Sequence, residues 1–220
     1  MNETNEVLAI VLYTLRVCAT STLISLLIAL PIGLLLGFYH NRLTRFLKPI
    51  FTAFTGIPPV IAGVVIYLLF SNIGVFGELK WLYTSMAIIL AQMIIVIPII
   101  VSQIFPVIEP IRERYILTSI GLGLSKGRML RQLLSEIPTS IMTAGLSGFG
   151  RAIAEVGAVM IVGGNIRFKT RVMTSAIVLE TNKGNYDMAL QLGLLLVAIS
   201  LTINFLAMRL SKGVRHDSTT

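Results

Sequence analysis

Arg151 and Glu155 stand where charge is expensive. They lie four residues apart in the stretch 137 to 162, which carries no other charged side chain. At that spacing two residues share one helix face and can form an ion pair. Facing lipid at the centre of a bilayer, each would cost at least about 2.5 to 3.5 kcal/mol. Two roles fit: a structural pair that fixes helix packing, or a pair that borders a translocation path or links its gate to neighbouring helices.

A second charged group, Arg167, Lys169, Arg171 and Lys183, falls between Asn165 and Asp187. It reads as a solvated basic loop, or as a surface that attracts an anion or an acidic protein face. Gly163, Gly164 and Asn165 just before it have the pattern that ends a helix and turns the chain.

Other chemistry is poorly supplied. No G-x-x-x-x-G-K-[ST] phosphate loop occurs, and Gly121-Leu122-Gly123 lacks the preceding strand and third glycine of a dinucleotide site. No Ser/His/Asp set or paired carboxylates cluster along the chain. His40 and His216 are far apart and have no companion ligands, so no metal site is expected. Cys18, the one cysteine, lies in an apolar run and reads as a small core residue. The expectation is a chain with no catalytic residue and no cofactor of its own.

The elements that position these residues follow from composition. In 220 residues 55% are hydrophobic and 13% charged, with a net charge of +8; soluble domains carry roughly 25% charged residues. So much apolar surface exceeds what a chain of this size hides in a core, and the rest must face lipid. A soluble enzyme, a DNA-binding domain and a disordered tail are all excluded. Five stretches approach the roughly 20 apolar residues of a membrane helix: 7–38, 56–77, 81–108, 137–162 and 188–208. They lack the strict alternation of barrel strands, which predicts an all-α membrane protein with one transmembrane domain over 1–220. The acidic start, Met1 to Glu6, does not have the basic flank of a cleavable signal.

Pro31 and Pro98 lie inside predicted spans and permit kinks, while Pro58 and Pro59 open the second span, where proline is tolerated. Eleven of the eighteen Lys and Arg fall in the connections on one side of the membrane and five on the other. The positive-inside rule then puts the N-terminus outside and the C-terminus in the cytoplasm.

The connection from Glu109 to Glu136 is too long for a tight hairpin. Tyr115, Ile116, Ile120 and Leu124 recur at roughly helical spacing, which predicts a short amphipathic helix over about 114–127. Gly121, Gly123, Ser125 and Gly127 then predict a turn, followed by a second helix bearing Arg128 and Arg131. This segment reads either as a helix on the lipid headgroups or as a knob for a cytoplasmic partner.

The order of a short helix, Leu122-Gly123-Leu124-Ser125, a basic stretch and Pro138 resembles the cytoplasmic loop of ABC-transporter permeases, although Leu117-Thr118-Ser119 replaces that family's usual Glu-Ala-Ala. The stretch from Gly148 to Ile166 closely resembles the permeases of tungstate importers and, more distantly, those of molybdate importers. Gly56 to Val60, Gly74 to Gly77 and Thr170 to Thr181 are similar to the same group, and the likeness runs from about residue 7 to 210. The resemblance implies the ABC importer permease fold, five transmembrane helices with a coupling helix, in a prokaryotic inner membrane. It implies a homodimer working with two ATPase subunits, which use ATP and Mg, and with an extracytoplasmic oxyanion-binding protein; nucleic acid has no part. Thr118, Ser119, Gly121, Gly123, Ser125 and Lys126 would then meet the ATPase. Pro58, Pro59, Arg151, Glu155, Gly163, Gly164 and Asn165 would border the path or its gate, and Arg167, Lys169 and Arg171 would face the binding protein. A secondary transporter or channel coupled through Arg151 and Glu155 is the reading of a different class; it needs no ATPase and leaves the long loop unexplained.

Overall fold

The computed structural model describes residues 3–121 and 125–216, and among them only helices and turns occur. Three helices are each long and apolar enough to cross a bilayer: α1 (Glu3–Phe38), α4 (Ser85–Ile108) and α10 (Tyr186–His216). Two bent helix pairs each pass as one further span by length and composition. α2 (Arg42–Phe54) meets α3 (Pro59–Phe70) at 103°, and α7 (Pro138–Ile153) meets α8 (Gly157–Gly163) at 63°. Counted so, five spans result, as expected.

α4 is the axis of the fold because it is apolar on every side. Ile88, Val96, Ile100, Val101, Ile104 and Ile108 have no exposed surface. A helix hydrophobic all round is stable only when surrounded, and α1, α2, α3, α7 and α8 all pack on it. α1 runs parallel to α4 and is tied to it at both ends. Near one end the Tyr13 hydroxyl lies 2.9 Å from Ser85 Oγ. At the other, Arg112, just beyond α4, donates from Nε to the Phe38 carbonyl at 2.6 Å, and Lys48 of α2 pairs with Glu109 after the end of α4.

Several boundaries differ from the sequence reading. α2 replaces what reads as a simple connection. Its start is a capping box in which Thr44 N–H donates to Asn41 Oδ1 (2.8 Å) and Asn41 N–H to Thr44 Oγ1 (3.1 Å). The second span is shorter than 56–77. Pro58 and Pro59 open α3, but the helix stops at Phe70 and Phe76 N–H donates back to the Leu69 carbonyl at 2.8 Å. Phe70 then stacks on Phe76 and Trp81, each ring 5.4 Å away, so this corner folds back on itself. The third span accordingly starts at Ser85, not Trp81. Pro31 and Pro98 sit inside unbroken helices; the breaks fall at 55–58 and 154–156.

The connecting segment 109–136 forms two helices, α5 (Arg112–Gly121) and α6 (Lys126–Glu136), joined by Arg114 and Glu136 at 2.8 Å. Gly127 therefore belongs to α6 and not to the turn. The largest surprise is α9 (Met173–Asn182), a helix inside the supposed outer loop. Met173, Ser175 and Ala176 on it are fully enclosed, and Met173 N–H donates to Thr14 Oγ1 of α1 at 2.9 Å.

α3 and α8 touch more closely than side chains allow. A Cβ at Gly63 would come within 2.7 Å of Ala158 Cα. Gly63→Val should therefore lower the stability of the solubilised protein by about 1 to 3 kcal/mol. Gly193→Ala, with nothing within 4 Å of its Cβ, should be neutral or gain up to about 1 kcal/mol. Thermal unfolding in detergent distinguishes them; equal midpoints would refute the close packing.

Candidate functional site

The break between α7 and α8 is built around one carboxylate. α7 ends at Ile153 although no proline or glycine stops it there, and α8 restarts at Gly157. Interrupting a helix frees backbone groups, and at membrane depth these must find partners within the protein. Glu155 supplies them. Its Oε1 accepts from Ala158 N–H at 3.0 Å, which caps the first turn of α8. Its Oε2 accepts from Arg151 Nη1 at 3.0 Å. Its own carbonyl accepts from Thr174 Oγ1 of α9 at 2.8 Å. On the other side, Gln92 Nε2 of α4 donates to the Ala152 carbonyl at 3.2 Å.

The electrostatics favour this arrangement. A carboxylate at a helix N-terminus is stabilised by the partial positive charge of the unpaired amides. The Glu155 side chain is only 3% exposed, whereas that of Arg151 is 31% exposed. The negative end of the pair is thus locked in the protein, and the positive end reaches its surface. Gln92 is the eighth residue of α4, so the break lies about 10 Å inside that end of the helix.

The break is close to two other features. Val60, next to Pro59 at the start of α3, lies against Gly157. A cleft of about 410 Å³ opens beside the break, lined by Ala154, Val156 and Thr174 and by Val197, Ser200 and Asn204 of α10. Its walls are mostly apolar, with a few hydroxyl and amide groups. α10 itself buries only 11% of its most apolar window, so one long face of this side is bare.

The outer-loop candidates gather at a rim where α8 ends. Gly164 adopts φ +66°, the left-handed geometry that glycine allows, and its N–H donates to the Met160 carbonyl at 3.1 Å. Asn165 then staples the rim to α9. Its Oδ1 accepts from Ser175 Oγ at 3.0 Å, and its Nδ2 donates to the Ser175 carbonyl at 3.1 Å. The basic residues are not free, as a solvated loop would leave them. Arg167 and Arg171 both bind Glu6 of α1, and Lys183 binds Glu180 at 2.8 Å. Among the described residues Lys169 enters no ion pair. The hydrogen bond from Lys183 holds the Glu180 carboxyl below the usual carboxylate range, against burial that pushes it up.

At the opposite end, α5 and α6 form a two-helix knob. Tyr115 and Leu133 anchor it in the core, while Thr118, Gly121, Ser125 and Leu117 are exposed. Ser119 lies in α5 and Lys126 opens α6; Gly123 falls outside the described residues.

The structure therefore brings Arg151, Glu155 and the start of α3 together, and places Gly163, Gly164, Asn165, Arg167, Lys169 and Arg171 at a separate rim. Sequence reasoning treated Arg151 and Glu155 as one face of a continuous helix. The pairing is present, but the helix ends between them. It also missed Gln92, Thr174 and Glu6. Gln92 was visible as the lone amide in the central part of the charge-free third span. Thr174 offered no signal, and Glu6 stood out only as an acid at the start of an apolar run.

Comparison with known proteins identifies the family. The family model described as "Binding-protein-dependent transport system inner membrane component" matches residues 29–216. The tungstate uptake system permease protein TupB of Campylobacter jejuni is 35% identical over 175 residues, covering 80% of this chain and 73% of that protein. TupB of Peptoclostridium acidaminophilum is 33% identical over 199 residues, covering 90% and 87%. A probable anion ABC transporter permease protein of Haloferax volcanii is 33% identical over 201 residues, covering 89% and 87%.

Two outcomes test the site. Glu155→Ala leaves the buried Ala158 amide uncapped and takes the partner from Arg151, and should destabilise the protein by about 1 to 3 kcal/mol. Arg151→Ala/Glu155→Ala should lose less than the sum of the single changes, because the two share one interaction. Additive losses in a denaturation cycle would contradict the pairing. For Glu180 the sign follows from its lowered pKa: its contribution is present at neutral pH and is lost as pH falls through the folded-state value. Amide exchange of α9, corrected for intrinsic rates, should therefore rise in acid and stay flat near neutrality.

Proposed function

The chain belongs to the family of binding-protein-dependent transport system inner membrane components, and from that membership we propose that it is the permease subunit of an ATP-driven ABC importer for tungstate. The observation that carries the substrate is the identity of 33–35% with tungstate permeases over 80–90% of this chain. Molybdate is the second candidate, since it is also a tetrahedral dianion and selection would occur mainly in the binding protein.

In this reading two copies of the chain form the pathway. The bare face of α10 and the cleft beside the break support a partner there. Two ATPase subunits meet the α5–α6 knob through Thr118, Ser119, Gly121, Gly123, Ser125 and Lys126. ATP and Mg are bound by those subunits; this chain holds no cofactor and performs no covalent chemistry. The N-terminus faces outward and the C-terminus the cytoplasm of a prokaryotic cell. The rim with Arg167, Lys169 and Arg171 faces the binding protein.

The broken pair α7–α8, together with α3 behind Pro58 and Pro59, is the movable wall of the path. Glu155 bonds to both sides of the break and to α9, so a rotation of α7 driven from the knob is felt at the rim. Arg151, whose head reaches the surface, supplies positive charge at the level of the gate. Gly163, Gly164 and Asn165 form the outer hinge of the same wall.

Proteoliposomes holding the permease and its ATPase, with the binding protein outside, test the proposal. Tungstate should accumulate only with ATP and binding protein present, and molybdate should compete in proportion to its affinity for the binding protein. Thr118→Arg should lower ATPase copurification several-fold while the permease remains folded. Uptake without ATP would overturn the assignment.

A further inference from the structure

A cleft of about 210 Å³ lies where the first turns of α1 meet the rim loop, lined by Glu6, Tyr13, Arg167, Phe168, Lys169 and Arg171 among others. It is several times the roughly 30 Å³ that one water takes up in the liquid. Glu6 sits in it as a carboxylate between two guanidinium groups. Arg167 Nε donates to Glu6 Oε1 at 2.9 Å, its Nη2 bonds Oε2, and Arg171 Nη1 reaches Oε1 at 3.4 Å.

The charges do not balance. Among the described residues Glu6 is the one carboxylate that lines the cleft, facing Arg167, Arg171 and Lys169, while Glu180 acts on the two arginines from outside it. The Arg171 side chain is only 11% exposed, and its Nε is buried with no hydrogen-bond partner among the described residues. A carboxylate brings one charge and two oxygens in a plane. A tetrahedral dianion brings two charges and four oxygens in space, so it can engage both guanidinium forks and the unused Nε together.

We propose that this cleft is a reception site for a tetrahedral oxydianion at the outer mouth, and that Glu6 is the built-in occupant that the dianion displaces. The inference rests on the import reading and deepens it. Glu6 belongs to α1 and the two arginines to the loop between α8 and α9, so the same contact joins a fixed helix to the movable wall. Arrival of the dianion exchanges that internal bond for bonds to the cargo and releases the rim from α1.

The test is direct binding to the permease–ATPase complex in nanodiscs, with neither ATP nor binding protein present. Bound tungsten is measured as tungstate is raised. Glu6→Gln should bind tungstate about ten-fold more tightly than the wild type, equivalent to about 1.4 kcal/mol. The gain should vanish in Glu6→Gln/Arg167→Gln and in Glu6→Gln/Arg171→Gln. Thermal unfolding gives a second readout if the buried arginines weaken the variant: Glu6→Gln should melt lower than wild type, and millimolar tungstate should restore it. Equal affinity of wild type and Glu6→Gln, or a gain that survives loss of the arginines, overturns the site. Uptake by the wild-type complex separates the two levels. A complex that imports tungstate without any Glu6→Gln gain overturns this site alone, whereas one that imports none overturns the reading beneath it.

Discussion

Every backbone amide and carbonyl inside a bilayer needs a partner within the protein, and this requirement makes Glu155 the centre of the molecule. A membrane helix interrupted without proline or glycine is unstable unless something replaces the lost bonds. One residue does so: its carboxylate caps α8 and pairs with Arg151, and its backbone carbonyl accepts from Thr174 of α9. Gln92 completes the arrangement from the α4 side. Remove these contacts and the reason for a short α8, a close α3 and a buried α9 goes with them. Packing follows from this constraint: Gly63 lets α3 come within contact of the α8 backbone at the level the break defines.

The two ends of the fold are organised differently. The knob end is held by long cationic side chains reaching across elements, as in Lys48 to Glu109 and Arg112 to the Phe38 carbonyl. The rim end has a long-range ion pair too, Arg167 and Arg171 with Glu6, but adds short polar side chains in tight turns, as in Asn165 with Ser175 and Thr170 with Ile166 N–H. Between them α1 and α4 form a post fastened at both extremities. α3 and α8 are short elements that share one buried core with α4, and α9 packs on α1 and α10.

What the sequence made legible follows the physics of each signal. Long apolar runs require lipid or full burial, so the five crossings and the all-α class could be read directly. The likeness around Gly148 to Ile166 also identified the family. Breaks were harder, because hydropathy averages over a window and a three-residue interruption at Ala154 to Val156 leaves the average unchanged. α9 escaped for a related reason: Arg167, Lys169, Arg171 and Lys183 on either side made the region look like solvated loop, although Val172, Met173, Ala176 and Ile177 carry a helical apolar pattern. α2 could have been found from Asn41 and Thr44 at capping-box spacing. The partner of the outer cations was not legible at all, since Glu6 lies 161 residues from Arg167 in sequence.

The break is nearer one face than the other. α8 covers seven residues and α7 sixteen, lengths of about 10 and 24 Å along their axes. In the proposed import reading, with the rim outward, a dianion that reached the break would have passed the shorter helix and not yet the longer one. An interior-negative potential opposes two charges by about 4.6 kcal/mol per 100 mV over the full thickness. In that reading the larger share of this electrical work would fall beyond the break, on the side of the α5–α6 knob, and would belong to the stroke that empties the path rather than to loading.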